Sequence, residues 1–142
     1  MSVFVDTGVF FAHHDTDAEN HDQATATFDR LLDGEYGQPY TSDYVLDETV
    51  TLTRVRTGSF EAADTVARRI LGEGEFPSVF EMIHVEPDDV QAALETFRRY
   101  DDQGLSFTDA VTIQLCESRG IDCVLSFDDD FDGLVDRTEP SE

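Results

Sequence analysis

Two apolar rhythms alternate along this chain. Short unbroken runs, such as Val3-Phe4-Val5 and Cys123-Val124-Leu125, suit strands buried on both faces, and longer stretches with apolar residues three and four apart suit helices. The pattern predicts a strand over Ser2 to Asp6 and a brief helix around Val9 to His14. An amphipathic helix over Asp22 to Leu32 is ended by Gly34, and a second strand covers Gln38 to Thr41. Helices over Ser42 to Arg56, closing at Gly58, and Phe60 to Leu71, closing at Gly72, read as a helical hairpin. Val79 to Val85 is rich in strand formers. Pro87 then sits at the first position of a helix running to about Tyr100. Thr108 or Ser106 caps a further helix that ends at Gly120 and feeds a strand over Ile121 to Phe127. A last short strand is expected near Leu134 to Arg137, with a frayed tail from Glu139 to Glu142. Strands alternating with helices of this length predict an α/β fold on a mostly parallel sheet.

At 142 residues the chain fits one domain, 1–142, with a core large enough to stand without disulfides. No apolar run approaches the roughly 18 residues of a membrane span, and no signal-peptide pattern opens the chain, so a cytoplasmic protein is expected. Cys116 and Cys123 have no partners at zinc-site spacing and read as reduced, buried thiols.

Charge changes the picture more. There are 32 acidic residues against 9 basic ones, all nine of them Arg, for a net charge of −23. Such a chain repels itself in dilute salt, whereas at about 1 M the Debye length falls to about 3 Å and the repulsion is screened. The composition resembles that of proteins from extreme halophiles. In molar salt counterion release adds little affinity, so the absence of a basic surface does not exclude a nucleic-acid substrate.

Among so many acids, a carboxylate is informative only where its position conflicts with burial. Asp6 ends the apolar run Val3-Phe4-Val5, at the carboxyl edge where open α/β sheets form their ligand crevice. A turn residue or helix cap is the plainer role there. Glu48 falls on the helix stripe marked by Tyr44, Val45, Leu52 and Val55, which predicts a core-facing side chain. Asp109 stands in the first turn of its helix, where the dipole alone would favour it. Asp128 closes the run Cys123 to Phe127; some of the cluster beside it, Asp129, Asp130 and Asp132, is surface charge, and Asp130 ranks below the four acids as a metal contact. Four hard oxygen donors without His or Cys suit Mg²⁺ or Mn²⁺, and such a site suits phosphodiester hydrolysis.

The segments Val-Phe-Val-Asp6-Thr7-Gly8, Tyr-Thr41-Ser42-Asp-Tyr-Val-Leu-Asp-Glu48, Leu-Ser-Phe-Thr108-Asp109-Ala and Val-Leu-Ser126-Phe-Asp128-Asp-Asp-Phe131 resemble, in order and spacing, the four acidic motifs of the PIN-domain nucleases. In size the chain is most similar to the VapC-type toxins of prokaryotic toxin–antitoxin pairs. The resemblance implies a Rossmann-like three-layer sandwich with a mostly parallel five-stranded sheet, a homodimer, and metal-dependent endonucleolytic cleavage of RNA. It implies that Asp6, Glu48, Asp109 and Asp128 are the catalytic, metal-binding set, supported by Thr7, Ser42 and Thr108, and that a small antitoxin is the protein partner. Gly8 departs from the pattern, since the family often has Asn there. Two other readings stay open: an RNA-processing nuclease of the same fold without an antitoxin, and a non-catalytic binding or dimerisation module. Retention of all four acids weighs against the second.

Other patterns are weaker. Asp128-x-Asp130-x-Asp132-Gly133 followed by Glu139 satisfies a calcium-loop spacing, but a strand, not a helix, enters it and too little chain follows for an exiting helix. Asp6-Thr7-Gly8 copies an aspartic-protease signature in a chain with too much helix for that fold. A phosphorylation receiver would need a Lys, and there is none. His13, His14, His21 and His84 lack ligand spacing and are expected to be solvated or capping. Arg54, Arg56, Arg68, Arg69, Arg98 and Arg99 are candidate phosphate contacts, with ion pairing to the many acids as the alternative.

Overall fold

Strand β1 (Ser2–Val5) lies at the centre of the sheet because its side chains are apolar to both faces. The computed structural model describes all 142 residues. From β1 the chain runs through α1 (Thr7–His14) and α2 (His21–Leu32) to β2 (Gln38–Ser42), then α3 (Asp43–Thr57) and α4 (Phe60–Leu71) to β3 (Glu81–Ile83). It returns through α5 (Pro87–Arg99) and α6 (Phe107–Arg119) to β4 (Cys123–Leu125), and a 3₁₀ turn (Asp129–Phe131) leads to β5 (Arg137–Thr138). The strand order is β3-β2-β1-β4-β5, and every neighbouring pair is parallel.

That order fixes the layers. Right-handed crossovers that step from β1 to β2 to β3 put α1 to α4 on one face, and the step back from β3 to β4 puts α5 and α6 on the other. The direction reverses between β1 and β4, so a crevice opens at their carboxyl ends, where Asp6 and Asp128 stand. Phe4, Phe10, Leu125 and Phe131 are almost wholly buried in the core around these strands. Edge-to-face contacts from Phe10 to Phe28 and to Phe80, at 5.8 and 5.0 Å between centroids, tie α1 to α2 and to the approach to β3.

Several expected boundaries shift for physical reasons. Of Val79 to Val85 only Glu81–Ile83 pairs as strand, because Phe80 turns aside to pack on Phe10 and Phe28. Strand β4 stops at Leu125: the Ser126 N–H still donates to the Thr138 carbonyl, but its own carbonyl accepts from Arg137 Nη1 and its hydroxyl bonds Asp6. The last strand lies at Arg137–Thr138, just beyond the predicted segment, in register with Val124 and Leu125. Nor is the tail loose: Pro140 is buried, and Arg30 Nη1 donates to the Ser141 carbonyl at 2.7 Å.

The predicted stripe on α3 is also rotated. Val45, Thr49 and Thr53 form its buried face, and Val55 is 74% exposed. Thr49 and Thr53 can be buried because their hydroxyls donate to the carbonyls of Val45 and Thr49, at 2.7 and 2.8 Å. Glu48 therefore flanks the buried stripe instead of lying within it, and is half-buried.

Candidate metal centre

Asp6, Glu48, Asp109 and Asp128 line one open cleft of about 460 Å³, together with Thr7, Gly8, Ser106, Ser126 and Phe127. Each acid arrives on a different element: Asp6 after β1, Glu48 on α3, Asp109 in the first turn of α6 and Asp128 after β4. No arginine lines this cleft. Of the candidate phosphate contacts, Arg54 lies over the Phe60 ring, Arg56 over Phe11, and Arg68 pairs with Asp64.

Three of the carboxylates share an arrangement in which a protein donor reaches one oxygen. Ser126 Oγ donates to Asp6 Oδ2 at 2.7 Å. The Ser106 backbone N–H donates to Asp109 Oδ2 at 3.0 Å, and Ser106 Oγ in turn accepts from the Asp109 N–H, which makes Ser106 the cap of α6 in place of Thr108. The Asp130 N–H donates to Asp128 Oδ1 at 2.9 Å. Asp6 Oδ1 is buried with no hydrogen-bond partner within 3.5 Å, although the Thr7 backbone N–H is near enough to the carboxyl to favour its charged form. An orphaned carboxylate oxygen is costly to bury.

The electrostatics match that cost. Burial pushes the Asp6 carboxyl up to about 7; the Ser126 hydrogen bond opposes this, and repulsion from Asp109 and Glu48 adds to it. Asp109 is pushed up to about 6, again chiefly by burial, with repulsion from Asp128 and Glu48 adding to the rise. Like charges that raise one another's pKa across a cleft call for a proton or a cation between them. Oxygen donors alone, with the Asp6 orphan oxygen among them, fit a hard divalent ion such as Mg²⁺ or Mn²⁺.

A tighter acidic group lies nearby. Ligand atoms of Asp128, Asp129 and Asp130 fall within 4.8 Å of one another, and the four cleft acids do not form so compact a set. The three are consecutive on a surface turn, and only Asp128 belongs to the cleft. Burial, the orphan oxygen and convergence from four elements favour the cleft as the metal centre. The calcium-loop pattern dissolves at the same turn, because Arg137 holds Asp132 in a bidentate pair at 2.7 and 3.1 Å and lies 3.8 Å from Glu139.

Sequence reasoning named Thr7, Ser42 and Thr108 as supports. Thr7 Oγ1 is buried without a partner beside the cleft, Ser42 caps α3 by accepting from the Val45 N–H, and Thr108 lies on the outer side of Glu48. It missed Ser126, whose hydroxyl holds Asp6 and also accepts from the Asp128 N–H at 3.0 Å. The signal was a small polar residue ending an apolar strand two positions before Asp128. Of the histidines, His84 is solvated and a His21 ring nitrogen bonds the Ala12 carbonyl in the last turn of α1 at 2.8 Å, as expected, but His13 departs by stacking on Phe28 at 3.7 Å.

Comparison with known proteins bears on this geometry. A family model described as PIN domain matches residues 3–135. The chain is 26% identical over 132 residues to a VapC ribonuclease of Archaeoglobus fulgidus, covering 92% of this chain and 80% of that protein. It is 31% identical over 129 residues to the 23S rRNA-specific endonuclease VapC20 of Mycobacterium tuberculosis, covering 91% of each. The crystal structure of VapC20, described as a sarcin–ricin loop cleaving toxin, matches with a TM-score of 0.77 over 91% of this chain and 92% of that one. A toxin–antitoxin complex from Klebsiella pneumoniae shares the fold at 14% identity, with a TM-score of 0.66 and coverage of 99% and 98%.

Proposed function

Because the chain belongs to the PIN-domain family, we propose that it is a divalent-metal-dependent endoribonuclease, the toxin of a toxin–antitoxin pair, acting on RNA in a salt-rich cytoplasm. The observation that carries this reading is the buried, unpartnered Asp6 Oδ1 in a cleft with three further carboxylates. Asp6, Glu48, Asp109 and Asp128 would hold Mg²⁺ or Mn²⁺. Bound there, such an ion supplies a Lewis acid that lowers the pKa of water and offsets charge that builds up on a phosphodiester during hydrolysis.

The protein's own part is positioning. Ser126 holds Asp6 Oδ2 and the Asp128 backbone at once, which ties together the acids at the ends of β1 and β4. Ser106 fixes Asp109 through a reciprocal cap, and the helix end orients its carboxyl. Such supporting hydrogen bonds set which oxygen faces the ligand.

The relatives point to a substrate class and to partners. VapC20 is a ribosomal-RNA endonuclease, and a structured ribosomal RNA loop is the substrate proposed here. A complex of like fold contains an antitoxin, which supports a small protein partner, and a homodimer is proposed alongside it. No helix is long and apolar enough to cross a membrane. The test is to incubate the protein in molar KCl with Mg²⁺ or Mn²⁺ and intact ribosomal RNA, beside single-stranded RNA and an EDTA control, and to map new ends. A discrete metal-dependent cut supports the reading, and intact RNA in every lane overturns it.

A further inference from the structure

Sharing no lining residue with the acid cleft, a second pocket of about 150 Å³ lies between α1, α2, α4 and the segment before β3. Its walls include Phe28, Leu31, Phe76 and Phe80, and its polar groups include Arg69, His13 and Asp29. Arg69 is half-buried, yet none of the chain's ion pairs includes it. Its one hydrogen-bond partner is His14 Nδ1 at 3.3 Å, and its guanidinium lies 5.2 Å from the Phe76 ring centre. In a chain with 32 acids, a partly desolvated cation without a carboxylate is anomalous. A second anomaly lies in the same wall: the His13 ring lines the pocket and stacks on Phe28, and its Nδ1 is buried with no partner.

We propose that this pocket binds a carboxylate carried on a compact apolar body, with the Arg69 guanidinium as its counter-ion and the His13 ring as a second polar contact. A planar carboxylate matches the fork of an Arg, and the remaining free N–H groups of Arg69 have no other acceptor. The apolar walls take the body. A cavity of about 150 Å³ is large enough for a benzene-sized group. Asp29 on the same wall disfavours a doubly charged phosphate and leaves a single negative charge as the better fit. In molar salt the repulsion from the rest of the chain is screened, so the local pair decides.

Two sources share this chemistry, a free acid and the carboxylate of a peptide. The test follows backbone and side-chain NMR shifts of the full chain in molar KCl during titration with benzoate and isovalerate, beside the neutral amides of both. A short peptide ending in a free Leu carboxylate is titrated against its C-terminal amide. Acids are expected to bind saturably, perturbing His13, Phe28 and Phe76, and to bind roughly tenfold or more tighter than the amides, about the loss of one charged hydrogen bond. Arg69→Met should abolish the preference, Asp29→Asn should tighten acid binding, and Arg68→Met should change nothing. Tighter binding of the peptide than of isovalerate assigns the site to a protein ligand, and the reverse assigns it to a free acid. Acids binding no better than amides, an Arg69→Met protein that binds like the parent, or no saturable shift with any probe overturns the proposal. None of these readouts depends on the chemistry of the acid cleft.

Discussion

Ser126 donates its hydroxyl hydrogen to Asp6 Oδ2 at 2.7 Å, joining residues 120 apart in sequence across the reversal between β1 and β4. The bond fixes one oxygen of Asp6 and leaves the other buried and unpartnered, the oxygen proposed to meet a cation. Ser126→Ala is expected to lower metal affinity or cleavage by roughly 10–100-fold, the usual range for a supporting hydrogen bond. It should also move the acid limb of the pH–rate profile upward, because this bond holds the Asp6 carboxyl down. A rate loss with an unshifted limb would mean that Ser126 acts through packing alone.

Asp6 also makes a prediction for the cation-free protein. Its carboxyl rises from 3.8 to about 7 on folding, so the folded state holds the proton more tightly than the unfolded chain. The stability this contributes is complete below pH 3.8 and is lost as pH rises through 7, a change on the order of a few kcal/mol. In EDTA and constant molar salt, Asp6→Asn should be more stable than the parent at pH 8 and depend less on pH. The shallower rise of Asp109 to about 6 remains in both proteins. Urea unfolding across the range measures it, and a variant less stable than the parent at pH 8 would count against a buried charge at Asp6.

Arg119 provides a control outside the site. Its Nη1 and Nη2 hold Asp89 Oδ1 and Oδ2 at 2.7 and 3.0 Å, binding α6 to α5, and the pair keeps the Asp89 carboxyl below the usual range. Arg119→Met leaves a mostly buried acid unpaired. Because the guanidinium is a third exposed, a loss of about 1–2 kcal/mol is expected. Cleavage per folded molecule should not change, as shown by activity measured well below the unfolding midpoint.

Asp130 separates the cleft from the acidic turn. Its side chain is half-buried on the turn, and its carboxyl is held above the usual carboxylate range mainly by repulsion from Asp128. Asp130→Asn should cost cleavage far less than Asp128→Asn under the same Mn²⁺ titration. Equal losses would shift the metal toward the turn of Asp128, Asp129 and Asp130.

Much of this was legible because burial and charge conflict in few places. Asp6 and Asp128 end runs of apolar residues that only a central strand explains, and the alternation of those runs with helices gives the parallel sheet. Glu48 was found for an imperfect reason, since the apolar residue Val55 faces solvent and two threonines take the core through bonds to their own helix. Ser126 was overlooked because a serine carries no signature until the fold brings it to Asp6. The Arg69 pocket was hidden for a related reason: the sequence offers Arg69 as a phosphate contact or an ion-pair partner, and only packing sets it in an apolar pocket instead.

The central claim is that the four cleft carboxylates hold a divalent cation that RNA cleavage requires. The most direct measurement is a Mn²⁺ titration in molar KCl, following bound metal and RNA cleavage together in the parent, Asp6→Asn and Asp109→Asn. Affinity and cleavage are expected to fall together in both variants while the proteins stay folded. Undiminished Mn²⁺ binding or cleavage by either folded variant would contradict the claim.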